Sequence, residues 1–130
     1  MIENNSLCNE EIVTLGYGAL YNFPATQGTG DNSITSSDDW EVPSKANWET
    51  LLNSIDTFDE VNNYWPLAGG KLKETGLLHW SPPNTGAINS VMLNLIGSGL
   101  RYNEFGNFKE EGYYMSSSKN NEEISFFLLL

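Results

Sequence analysis

One cysteine, one histidine and six basic residues are all that 130 residues supply of three kinds of chemistry. With Cys8 alone, no intramolecular disulfide can form, and the fold does not depend on an oxidising compartment. With His79 alone, a two-histidine zinc site, an HExxH helix and a Cys–His cluster are all excluded. Six Lys and Arg stand against 17 Asp and Glu, a net charge of −11, and residues 1–44 carry seven acids and no base. Non-specific nucleic-acid binding needs Lys and Arg to displace counterions from phosphates, so this balance disfavours it, and anionic membrane surfaces repel the chain. No apolar run approaches the ~18–20 residues of a membrane helix, so no membrane insertion is expected. Nucleophile-elbow, phosphate-loop and dinucleotide fingerprints are missing as well. The acid pairs Asp38-Asp39, Asp59-Glu60, Glu110-Glu111 and Glu122-Glu123 are sequence neighbours, which point apart in extended chain and match no calcium-loop spacing. The expectation is a protein that is not an enzyme and carries no cofactor and no metal.

What is present suits one globular domain. A 14.5 kDa chain with 39% hydrophobic and 12% aromatic residues has enough apolar material for a core. Its polarity comes from neutral groups, 16 Asn, 13 Ser and 12 Gly, which favour turns and irregular loops over long helices. Residues 1–10 read as a polar tail and 11–130 as the domain. Met1-Ile2-Glu3-Asn4-Asn5 lacks the basic start and apolar stretch of a secretory signal. Use without signal-directed export and a mature or cloned piece both remain open.

Along the chain, Glu11–Leu15 reads as a short strand. Gly18–Phe23 is a second apolar stretch stopped by Pro24, and 25–39 is a long polar loop. The clearest helix follows Pro43: Ser44 is an N-cap, and Trp48, Leu51, Leu52 and Ile55 fall at i, i+3, i+4 and i+7, one apolar face for the core. A weaker helical turn covers Phe58–Tyr64. Residues 67–90 lack periodicity, and Gly69-Gly70 reads as a tight turn with positive φ. The stretch still carries Leu67, Leu72, Leu77, Leu78, Trp80 and Ile88. Burial of these side chains, with Asn and Thr serving the backbone, predicts an ordered loop lying on the core. His79, between apolar neighbours, reads as a structural hydrogen-bonding histidine. The last third reads as antiparallel sheet: apolar Val91–Ile96, then Leu100-Arg101-Tyr102, a turn over Asn103–Phe108, a strand from Tyr113 to Ser118, a polar loop at Lys119–Glu123 and the most apolar strand, Ile124–Leu130.

Aromatic residues lie among Asn, Ser and Gly, a mixture that suits a recognition surface and an irregular core equally. Arg101, Tyr102, Phe105 and Tyr113 are the candidate ligand-binding residues.

Three groups of residues carry a resemblance: Tyr17-Gly18-Ala19-Leu20-Tyr21-Asn22-Phe23, Trp40-Glu41-Val42-Pro43-Ser44 and Ala68-Gly69-Gly70-Lys71-Leu72-Lys73-Glu74-Thr75-Gly76. His79-Trp80, Pro83-Asn84-Thr85-Gly86-Ala87, Gly99-Leu100-Arg101-Tyr102 and Gly112-Tyr113-Tyr114-Met115-Ser116-Ser117 continue the series. Over about residues 17–118 this order resembles the Fibrobacter succinogenes major paralogous domain family, shortened at both ends and with Met115 where the family usually has tryptophan. The resemblance implies an α+β, C-type-lectin-like fold with one main helix, a short helical turn, long ordered loops and a small antiparallel sheet. It makes Trp40, Trp48, Gly69, Gly70, Trp80, Asn84 and Gly86 fold determinants. It also implies a non-catalytic surface or display module of Bacteroidetes-type bacteria, extracellular or at the cell surface, that binds a glycan or protein. The alternative is a phage virion component, decoration or fibre, that uses the same fold for subunit contacts. The motifs by which C-type lectins hold calcium and sugar are absent. Ile124–Leu130, six apolar residues in seven, would be an aggregation site as a free edge. Glu11–Leu15 or another chain is expected to cover it, the latter making a homo-oligomer or an assembly; the alternative is a strand wholly buried in its own monomer. Without a calcium-site spacing, the melting temperature should stay unchanged on adding calcium at constant ionic strength; a strong rise would refute this reading.

Overall fold

The computed structural model describes residues 16–28, 34, 39–101, 105–120 and 124–129, with backbone alone for 120 and 124–129. The Glu11–Leu15 strand, the polar tail with Cys8, Tyr102 and residues 121–123 of the polar loop lie outside the described residues. The architecture is mixed α/β. Among the described residues three helices, α1 (Phe23–Thr26), α2 (Lys45–Ile55) and α3 (Ala68–Leu72), precede four strands, β1 (Leu100–Arg101), β2 (Phe105–Gly106), β3 (Tyr113–Asn120) and β4 (Ile124–Leu129). The antiparallel pairing is small and falls into two ribbons, β1–β2 and β3–β4. In the second, Tyr113 faces Leu129 and Met115 faces Phe127, and the register shifts before Lys119 pairs with Ser125.

Helix α2 forms where the spacing places it. Ser44 Oγ accepts from Asn47 N, and Asn47 Oδ1 accepts from Ser44 N at 2.8 Å, a reciprocal cap that satisfies two backbone donors. Of the four apolar positions, Leu52 is buried. Leu51 and Ile55 pack beside it, and the Trp48 ring meets Tyr114 of β3 at 6.4 Å between centroids. Ser117 N donates to Pro43 O, and Lys45 N donates to Ser118 Oγ, which ties the start of α2 to β3. The core is compact: Leu52, Ala68, Leu72 and Leu95, with Trp65, Val91 and Tyr114 around it.

Several expectations fail for physical reasons. Phe58–Tyr64 makes a single turn and no regular helix: Asn63 N donates to Asp59 O at 2.7 Å and Asp59 Oδ1 accepts from Val61 N and Asn62 N, but Asn63 takes a left-handed φ of 59°, which stops the turn from continuing. Phe58 and Trp65 instead close over one another, 4.5 Å between centroids. Gly69-Gly70 is no positive-φ turn but the middle of α3, so a third helix stands where a loop was expected. A Cβ on Gly70 would lie 2.2 Å from Gly86 O, and the glycine is there for close backbone approach. Pro24 does not stop its segment. It occupies the first turn of α1, where a missing N–H costs nothing, behind an Asn22 N-cap. Val91–Ile96 is no strand, because Met92 and Asn94 both have positive φ. Leu72 and Trp80 of the 67–90 stretch are buried as expected, whereas Leu67, Leu77, Leu78 and Ile88 are exposed.

That stretch is held by hydrogen bonds more than by its side-chain burial. Asn84 Nδ2 donates to Glu74 O and Gly76 O, Ile88 N to Gly70 O, and Ser81 N to Lys109 O. Two substitutions test this construction in urea denaturation. Leu72→Ala, at 0% exposure, should cost about 2–5 kcal/mol. Gly70→Ala, which in an open helix would stabilise by up to ~1 kcal/mol, should here destabilise by ~1–3 kcal/mol because Gly86 backbone occupies the methyl position. A neutral or stabilised Gly70→Ala protein would refute the packing of α3 on Gly86.

Candidate functional site

The segment Tyr17–Phe23, the start of α2 and the strands β1 and β3 surround an open groove of about 950 Å³. Its walls are mostly aromatic and aliphatic, among them Leu20, Phe23, Trp48, Leu100, Tyr114 and Met115. Three local structures position them. Gly18, at φ 74°, turns the incoming chain ahead of Leu20. The α2 cap presents Trp48. On the floor, Tyr114 Oη accepts from Ile96 N and donates to Ile96 O, both at 2.7 Å. Burial pushes the Tyr114 phenol up to about 12, offset in part by its bonds to Ile96 and Ser98.

An aromatic ladder runs beside the groove. His79 meets Tyr17 edge-on at 5.0 Å, Tyr17 meets Phe108 at 5.6 Å, and Phe108 stacks on Phe105 at 6.1 Å. The Arg101 guanidinium lies over the Phe105 ring at 5.1 Å. At the far end of the ladder, Glu74 holds His79 Nδ1 at 3.0 Å, the structural role expected of this histidine. Burial first, and the Glu74 carboxylate second, raise the Tyr17 phenol above its ordinary value. Tyr113 donates to Glu111 Oε2 at 2.7 Å, which Asn107 Nδ2 also reaches. The Tyr113 bond, then that of Asn107, hold the Glu111 carboxyl below its usual range.

Arg101 and Tyr113 thus line the groove, and Phe105 reaches it through Arg101, its partner across the β1–β2 ladder. Tyr102 lies outside the described residues. Among the expected fold determinants, Trp80 is buried and its Nε1 donates to Leu95 O. Asn84 clamps its loop, Gly70 and Gly86 touch, and Trp48 is half-buried with an Nε1 that has no hydrogen-bond partner. Trp40 is 71% exposed. The groove residues before α2, Tyr17 to Phe23, were absent from the candidate binding set. Their aromatic-and-asparagine run was the signal that could have placed them there.

Among the described residues no group of three or more His, Cys, Asp or Glu could hold a metal ion, and no helix is long and apolar enough to cross a membrane. No family model matches the chain, nor does any curated protein or solved structure.

The raised Tyr114 pKa has a defined consequence for stability. A phenol that titrates near 10 unfolded and about 12 folded contributes fully below pH 10, and that contribution is lost as pH rises from 10 towards 12. Stability measured by urea denaturation should fall over this window, and less steeply in Tyr114→Phe. That variant should also lose ~1–3 kcal/mol at pH 7, since Ile96 N is left without its acceptor. An unchanged pH slope would remove Tyr114 from this role.

Proposed function

We propose that this chain is a non-catalytic recognition module of C-type-lectin-like architecture, of the surface or secreted kind, that engages a glycan or protein partner through the groove between Tyr17–Phe23 and β1 and β3. The observation that carries this reading is the groove itself: a concave, largely apolar surface with one guanidinium at its edge, built on hydrogen-bonded backbone. Rigid aromatic walls offer contact area at low entropic cost. A groove-filling variant tests it. Ala19 is exposed and lines the groove, so Ala19→Trp obstructs the site without disturbing the core. On glycan and surface-protein arrays, at least one partner retained by the unaltered chain should bind Ala19→Trp about tenfold more weakly or worse, a loss of ~1.4 kcal/mol. Equal retention of every partner would take the groove out of the function.

A second reading, an assembly or virion component, draws on β4. Among the described residues this strand pairs with β3 alone. An unpaired edge is a template for another strand. Light scattering across dilution decides: a mass above that of one chain at high concentration, falling on dilution, is expected of self-assembly through this edge. A single-chain mass throughout would refute it.

A further inference from the structure

We propose that the groove takes an extended polypeptide segment of a partner, whose large apolar side chains fill the walls while one of its carboxylates meets Arg101. This inference rests on the groove being the recognition surface and names what that surface takes.

Charge comes first. In a chain of net charge −11, no carboxylate side chain lines the groove among the described residues, and Arg101 is the one ionised group there. Arg101 forms no ion pair among the described residues. Its guanidinium lies over Phe105, a placement that steadies the fork while leaving its N–H donors to a planar anion. The surrounding acidic surface opposes an anionic partner at long range, so the carboxylate must be local to the segment and the remainder neutral.

The polar groups of the walls then separate peptide from sugar. A sugar ring needs many fixed donors and acceptors at its hydroxyls. Several of those groups are already engaged within the chain, and Trp48 Nε1 is left as a single fixed donor. Asn22 Oδ1 accepts from Ala25 N, Thr26 Oγ1 donates to Phe23 O, Asn94 Oδ1 accepts from Asn89 Nδ2, Tyr113 donates to Glu111, and Tyr114 serves Ile96. Hydroxyls brought against these walls would lose water without equivalent partners. Leucine, methionine or phenylalanine side chains lose nothing of that kind, and an extended segment presents them on alternate positions to one face.

The test uses the full chain on an array of acetylated octapeptides. The peptides carry large apolar residues at alternate positions and a terminal Asp, each printed beside its Asn counterpart, with a glycan array in parallel. The expected result is binding of Asp peptides about tenfold or more above their Asn counterparts. Arg101→Gln should erase that difference, Ala19→Trp should abolish binding, and Lys45→Gln, which removes one positive charge from the outer side of α2, should preserve both. Thermal melts verify that each variant is folded; should one fail, the Asp-to-Asn comparison on the unaltered chain still decides. Equal binding of Asp and Asn peptides, or discrimination that survives Arg101→Gln, overturns the proposal. Binding of glycans alone, lost in Ala19→Trp, overturns the peptide assignment and leaves the recognition module standing. Binding of neither ligand class overturns both.

Discussion

The backbone of Leu95 and Ile96 is the junction on which the rest of the structure depends. Leu95 N donates to Leu72 O, and Leu95 O accepts from both Glu74 N and Trp80 Nε1. One residue later, both backbone groups of Ile96 bind the Tyr114 hydroxyl. Five hydrogen bonds at two consecutive residues thus join α3, the 74–80 loop and β3, elements that share no extended sheet. The Leu95 side chain closes the core with Leu52, Ala68 and Leu72. A buried backbone group without a partner costs more than an average hydrogen bond yields, so this junction has to be satisfied as a unit.

Glycine makes the junction reachable. At Gly97, Gly99 and Gly112 an added Cβ would meet backbone oxygen at 2.9, 2.2 and 2.8 Å, from His79, Gly106 and Ile96. Irregular strands therefore lie closer than side chains would permit, and they exchange hydrogen bonds without forming a wide sheet. The groove is the consequence. Leu95 and Ile96 line it together with Tyr114, whose hydroxyl is held by both backbone groups of Ile96. A surface of this kind can stay open without collapsing.

How much was legible depended on whether local chemistry decided the outcome. Helix α2 was legible, since its cap and its apolar period are both local, and so were β3 and β4, where strand-forming residues flank a polar turn. Helix α3 was not. Gly69-Gly70 lowers helix propensity, and the reason for Gly70 lies sixteen residues away at Gly86. Val91–Ile96 looked extended because its residues are apolar, but the Asn89–Asn94 side-chain bonds curl it and turn Met92 and Leu93 outward. In the groove, Arg101 and Tyr113 could be named from their aromatic surroundings, and Phe105 stands beside it under Arg101. Their neighbours Tyr17 to Phe23 come from the other end of the described chain, and only long-range contact brings them near.

By itself the sequence determined some chemistry that is out of reach: one histidine cannot build a two-histidine zinc site, and one cysteine cannot close an intramolecular disulfide. It also determined α2, because capping and side-chain period act over a few residues. Only the tertiary structure decided which apolar residues are buried. Leu72 is covered while Leu77 and Leu78 stand in solvent, though all three read alike in sequence. It alone decided too that, among the described residues, one arginine and no carboxylate side chain would line the groove. Burial and electrostatic neighbourhood are set by which distant backbones approach, and here approach is governed by glycine contacts and shared hydrogen bonds that no local pattern encodes.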